Sequence, residues 1–263
     1  MNKYQAPTRF VGKNSKYHET CASTNSLGFQ EALEYQLPDG FAWIAGHQTE
    51  GKGQRGNKWV AQPNENLLVS YLLKPKDQQA IHQFYLSKAI SIGILEGLQK
   101  WAKNTLLEEL PIKIKWPNDI YLEEQKIAGI LIENNFQAGK WNFSIVGIGI
   151  NINQTEFPDL RATSLKKYVQ DPQAIAIEEI YQAISQGIET QYQQFQEKQF
   201  AALDLAYHAH LFQHLEEALY QDASGTFRGK IIEVNAQGLL CLERNNEHKW
   251  YDLKELCFIF KEI

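Results

Sequence analysis

The chain has 263 residues, with 26 Lys+Arg against 31 Asp+Glu, a formal net charge of −5, 43% hydrophobic and 22% charged residues. That balance is ordinary for a globular protein and excludes disordered and fibrous classes; the net acidity argues against a generic nucleic-acid binder, although a local basic patch is compatible with it. The length accommodates a large domain plus a small one, or two medium ones. Three widely spaced cysteines, Cys21, Cys241 and Cys257, form no CxxC pair, which points to a reducing compartment without a disulfide framework or structural zinc. The first residues carry no apolar stretch of signal-peptide length and no run of about 18 apolar residues occurs, so a cytoplasmic protein is expected, with no membrane partner.

In chain order, residues 41–45 read as a short buried strand entering a Gly-rich loop, and LLVSYLL at 67–73 as a second apolar strand stopped by Lys74-Pro75. From about 79 to 103, Ile81, Tyr85, Ala89, Ile92, Leu95, Leu98 and Trp101 recur every three or four residues, which predicts a helix with one buried face. Strands are expected at 112–116, 126–133 and 141–152, joined by turns short enough for antiparallel neighbours. A long helical stretch is expected from about 174 to 220. Beyond it, the turns Asn235-Ala236-Gln237-Gly238 and Asn245-Asn246-Glu247 separate short runs at 229–234, 239–243 and 249–253. These predict a small β-barrel, with the domain boundary between 221 and 222.

The loop Gly51-Lys52-Gly53-Gln54-Arg55-Gly56 matches GxGxxG in form, but no helix opens inside it, so the dinucleotide reading fails. It lacks the GK[ST] ending of a P-loop and the Val of a kinase loop. What survives is backbone N–H groups that glycine exposes, with positive charge from Lys52, Arg55 and Lys58. A solvated basic turn accounts for it equally well. Downstream, Lys115-Trp116-Pro117-Asn118-Asp119 ends one strand in a tight turn. Glycines alternate in KIAGIL (126–131) and GIGIN (147–151); inside apolar strands they signal something approaching the backbone, either a packed helix or a ligand. His210 and His214 have metal-pair spacing on the expected helix, yet no third ligand accompanies them, and a plain helix face is the favoured reading.

Ser23-Thr24-Asn25, Gln48 through Gly56 with Trp59, KWPND at 115–119, KIAGIL at 126–131 and GIGIN at 147–151 follow one another in the order found in biotin protein ligases, and the chain resembles that family over nearly its full length. The resemblance implies an α+β fold: a mixed, largely antiparallel sheet with flanking helices, as in class II aminoacyl-tRNA synthetases, spanning 1–221, then a small SH3-like β-barrel at 222–263. It implies an enzyme that joins biotin to ATP as biotinyl-5′-AMP, with Mg2+, and passes biotin to a lysine of a biotin carboxyl carrier protein, such as an acetyl-CoA carboxylase subunit. Both steps develop negative charge, which fixed cations and N–H donors stabilise.

By the same resemblance Lys52, Lys115 and Lys126 are the catalytic cations. Ser23, Thr24, Asn25 and Gln48 face the biotin rings, whose urea calls for hydroxyls and amides. Gly51, Gly53, Gln54, Arg55 and Trp59 belong to the loop closing over the adenylate, while Asn118, Asp119, Gly129 and Asn151 hold nucleotide, magnesium or the loop. No direct metal ligand is assigned. Family members most often carry Arg where this chain has Lys52 and Gln54; Lys keeps the charge without the planar fork, and Gln54 loses it. The Ser-Thr-Asn element at 23 leaves no room for the winged helix-turn-helix of some members, so no DNA binding is expected, and a homodimer is left open. Two other readings stand beside this one: a lipoate–protein ligase of the same fold, and a non-catalytic protein that binds biotin.

Overall fold

A computed structural model describes residues 3–105, 108–158, 160–170 and 173–260 of the chain; the Arg55 side chain lies outside the described residues. The larger part is built on seven strands: β1 (Ser15–Cys21), β2 (Ala42–Gln48), β3 (Asn66–Leu73), β4 (Ile112–Lys115), β5 (Asp119–Leu122), β6 (Gln125–Gln137) and β7 (Lys140–Asn151). Their order is β1-β2-β3-β7-β6-β5-β4, with β1 parallel to β2 and the other pairs antiparallel. This is the mixed, largely antiparallel sheet expected from the sequence. The β6–β7 hairpin turns at Ala138 and Gly139, both at positive φ, the conformation that matches the twist of paired strands.

Every residue of β3 is buried, because helices cover both faces of the sheet there. On one face α2 (Gln83–Thr105) crosses α4 (Ile177–Gln196). The helices come so close that a Cβ on Gly187 would lie 2.1 Å from the Gly93 carbonyl oxygen, and one on Gly97 2.6 Å from that of Ala183. On the other face α1 (Thr24–Glu34) lays Leu27, Phe29 and Ala32 over Trp43, Leu72, Phe143 and Ile145. α1 leaves the far half of that face, where β6 and β7 carry their glycines, uncovered by helix.

The expected helix at 79–103 is α2, preceded by one 3-10 turn at Ala80–His82 that leaves Ile81 exposed. The stretch expected as helix from 174 to 220 is corrected: α4 ends at Gln196, Lys198 takes a positive φ, and α5 (Phe200–Ala209) ends before His210. His210 and His214 therefore do not share a helix face. A short α3 (Leu165–Val169) follows β7.

The remaining strands are β8 (Glu217–Asp222), β9 (Gly225–Val234), β10 (Leu240–Arg244), β11 (Glu247–Tyr251) and β12 (Cys257–Ile259). They form a separate five-stranded antiparallel sheet ordered β11-β10-β9-β8-β12, the small C-terminal β unit that the turn signals imply. The boundary drawn at 221/222 falls inside β8, which pairs with β9 along its whole length. Among the described residues no helix is long and apolar enough to cross a membrane.

Candidate active site

Ser23 caps α1: its backbone is extended and its Oγ accepts from the Ser26 N–H at 3.5 Å. This N-terminus meets the uncovered glycine-bearing strands, and between them lies a cleft of about 460 Å³, open side included, a volume suited to a small organic ligand. Its walls bring together Ser23, Thr24, Asn25, Gln48, Lys52, Gly53, Gln54, Trp59, Asn118, Asp119, Lys126 and Gly129. Those residues lie up to 106 positions apart in sequence, and all of them are among the site residues that the resemblance implies.

The inner end is a closed polar network. The Gln48 Oε1 accepts from both the Thr24 N–H (2.7 Å) and the Thr24 hydroxyl (3.0 Å), which turns the Gln48 NH₂ group away from Thr24. Asn25 Nδ2 donates to the Glu133 carboxylate at 2.8 Å and to the Leu131 carbonyl at 3.3 Å. Its Oδ1 lies 2.6 Å from Ser70 Oγ, which also stands 2.7 Å from Thr24 Oγ1. Both amide orientations are thus dictated by partners. Ser70 and Glu133 were not among the expected site residues; the signal for Ser70 was a small polar residue inside the apolar run 67–73.

The alternating glycines have a definite cause. A Cβ on Gly147 would sit 2.1 Å from Asn25 Oδ1, and one on Gly149 2.3 Å from the Trp59 indole; Gly129, the cross-strand partner of Gly149, would meet the same indole at 2.9 Å. The glycine pair is a floor on which Trp59 lies, and neither a packed helix nor a ligand is needed to explain it. Trp59 Nε1 is buried there without a hydrogen-bond partner among the described residues.

Lys126 stands over the edge of that indole, 5.5 Å from the ring centre, and pairs with Asp119 at 2.7 Å. Its backbone is strapped on both sides, since Lys126 N–H donates to the Arg161 carbonyl and Thr163 N–H to the Lys126 carbonyl, each at 3.0 Å. Asn118 ties its turn to β6 through the Ile130 N–H and carbonyl.

The Gly-rich loop is a narrow hairpin: Trp59 N–H donates to the Gly51 carbonyl at 3.0 Å and Gly53 N–H to that of Asn57 at 2.7 Å, around one 3-10 turn at Gln54–Gly56. No helix starts in it, which agrees with rejection of the dinucleotide reading.

Among the described expected site residues, three stand outside the cleft wall. Gly51 supports the hairpin: a Cβ there would lie 2.4 Å from the Trp59 carbonyl oxygen. Asn151 is buried and donates to the Thr163 carbonyl at 3.0 Å, which secures the segment strapped to Lys126. Lys115 points its ammonium at the small sheet, 4.2 Å from the Phe258 ring centre and 5.5 Å from that of Tyr121. Burial lowers its pKa, the Lys126 charge adds to that, and Asp119 opposes it.

Comparison with known proteins places this geometry. The model of the biotin/lipoate A/B protein ligase family matches residues 17–151, just over half of the chain. A bifunctional ligase/repressor, BirA, of Bacillus subtilis is 28% identical over 248 residues, covering 92% of this chain and 73% of that relative. A biotin–[acetyl-CoA-carboxylase] ligase of Mycobacterium tuberculosis is 32% identical over 144 residues, 54% of this chain and 51% of the relative. The biotin protein ligase of Aquifex aeolicus solved with biotin and ATP superposes with a TM-score of 0.74 at 27% identity, covering 93% of this chain and 98% of the other. The family match runs from β1 to the end of β7, through every strand that bears the cleft, and the chain is a member of the biotin/lipoate A/B protein ligase family.

Proposed function

We propose that the chain is a biotin–protein ligase, and that the cleft holds biotin with its rings at the Ser23–Gln48 end and its carboxylate toward Lys126. The observation that carries this is the chemistry of the inner end: hydroxyls and amides whose orientations are already fixed. A cyclic urea, with one carbonyl and two N–H groups, offers hydrogen-bond partners to hydroxyls and amides, whereas lipoate's dithiolane offers none. The relatives above, named as biotin ligases, support the same choice.

In the first step the biotin carboxylate attacks the α-phosphate of ATP and pyrophosphate leaves. Lys126 is at hand to balance charge on the phosphate once nucleotide draws it from Asp119, and Lys52 and the N–H groups of the hairpin would close over the adenylate. In the second, a carrier lysine amine attacks the acyl carbon and AMP departs. We assign the acceptor as a biotin carboxyl carrier protein and place the division between catalytic unit and small sheet ahead of Glu217. Magnesium would enter with the nucleotide: Asp119, the carboxylate beside Lys126, is a hard oxygen donor suited to an ion held mainly by phosphates and water. No cluster of three or more His, Cys, Asp or Glu that could hold a metal occurs among the described residues.

ATP–pyrophosphate exchange tests the reading. Exchange that requires biotin is expected; exchange driven by lipoate in its place would reassign the substrate, and exchange with neither would leave a binding protein.

A further inference from the structure

Lys88 and His208 are buried or half-buried titratable groups far from the polar end of the cleft, and both grip one residue of the small sheet. Lys88, fully buried on α2, donates from Nζ to the Val234 carbonyl at 2.7 Å and to Asp204 of α5 at 2.5 Å. The Val234 N–H donates to His208 Nε2 at 2.8 Å. Both backbone groups of the last residue of β9 are therefore held by side chains of the helical layer. The turn that follows, 235–238, reaches the KWPND segment: Trp116 Nε1 donates to the Gly238 carbonyl at 2.9 Å. Gly238 sits so close to Phe84 of α2 that a Cβ would lie 2.5 Å from its ring. Gln237 and Phe84 line a second cleft of about 680 Å³ that shares Gln54, Asn118 and Ile130 with the first.

We propose that Lys88 and His208 are positioning residues for adenylation: their clasp on Val234 holds the β9–β10 turn against Trp116, and through Trp116 keeps Asn118 and Asp119 in place beside Lys126. A bent or released turn shifts the nucleotide end of the cleft and leaves the Ser23–Gln48 end untouched, because no bond of the clasp reaches it. The inference rests on the ligase reading for its catalytic consequence.

The geometry also sets a pH sign. His208 accepts at Nε2 and must be neutral there to do so. It is faced by Lys88 from α2, Asp204 from its own helix, Glu233 from β9, and His214, whose ring is 5.5 Å away and whose Nε2 lies 3.0 Å from the Ile232 carbonyl oxygen. Burial, Lys88 and His214 hold its pKa below the ordinary histidine value against the opposing pull of Asp204 and Glu233. The clasp is complete above that ordinary value and is lost as pH falls through the depressed one.

The test compares the wild type with His208→Gln, whose amide oxygen can accept from Val234 at any pH, and with Lys88→Met paired with Asp204→Asn, which removes the grip without stranding a carboxylate. Two readouts are taken: biotin-dependent ATP–pyrophosphate exchange, and hydrogen exchange of amides 235–240 corrected for intrinsic rates. The expected result is an acid-side loss of exchange in the wild type that His208→Gln abolishes, with matching loss and rescue of amide protection. Lys88→Met/Asp204→Asn should lower kcat and raise KM for ATP roughly ten-fold, with KM for biotin unchanged. A merely structural role would cut kcat and leave both KM values alone. Should the wild type show no biotin-dependent exchange, the ligase reading fails, and amide protection alone decides the clasp. Protection that neither acid nor the double substitution alters overturns it, as does the same acid limb in wild type and His208→Gln.

Discussion

At the inner end of the cleft, buried Thr24, Asn25 and Ser70 and half-buried Gln48 and Glu133 hold one another in a hydrogen-bonded set. At the outer end, Lys52, Gly53 and Gln54 ride on a hairpin closed by a handful of backbone bonds, and the Lys52 side chain is exposed. The difference separates two tasks. Groups that recognise a neutral polar ring gain from being fixed in advance, since ordering them on binding would cost affinity. Groups that must admit a triphosphate and then enclose a reactive anhydride gain from opening and closing. Trp59 joins the two: its indole lies on Gly129 and Gly149, and its backbone closes the hairpin.

The comparison can be broken at several points. Removing the Lys126 ammonium should have the largest effect, with Lys126→Ala lowering adenylate formation by about a hundred- to a thousand-fold while the circular dichroism spectrum stays native; near-normal turnover would remove Lys126 from the mechanism. Next comes the floor under Trp59. Gly149→Ala meets the indole at 2.3 Å and Gly129→Ala at 2.9 Å, so Gly149→Ala should impair exchange more, and the reverse order would refute the packing argument. At the polar end, Gln48→Leu strands the Thr24 N–H, and KM for biotin should rise by roughly five- to a hundred-fold with KM for ATP unmoved. The mildest change is dynamic: amides from 54 to 64 should gain hydrogen-exchange protection with biotin and ATP, whereas those of 23–25 should change little. Equal gains at both ends would erase the distinction drawn here.

Much of this was legible in the sequence, for physical reasons that differ by element. LLVSYLL is apolar but for Ser70 because β3 is covered on both faces; α2 shows its helical period in the sequence, yet every residue from Lys88 to Leu95 is buried, more than the one face expected, because the helix is packed between the sheet and α4. β1, SKYHETC, is a half-exposed edge strand that carries no apolar pattern, and β5, DIYL, is a four-residue strand in the stretch between those expected at 112–116 and 126–133. EALYQD has helix-forming residues and yet pairs as β8, where tertiary pairing overrides local propensity. In the site, residues that sit in short motifs were visible. Ser70 and Glu133 were not, because their importance lies in orienting another side chain across strands. The reason for the glycines was hidden likewise: their close neighbours, Trp59 and Asn25, come from distant parts of the chain.

The central claim is that this cleft activates biotin and delivers it to a protein lysine. Incubation with ATP, magnesium, labelled biotin and a biotin carboxyl carrier domain tests it directly. Label is expected on a single carrier lysine, dependent on ATP and lost in Lys126→Ala. Label that never leaves the ligase, or that appears without ATP, would contradict it.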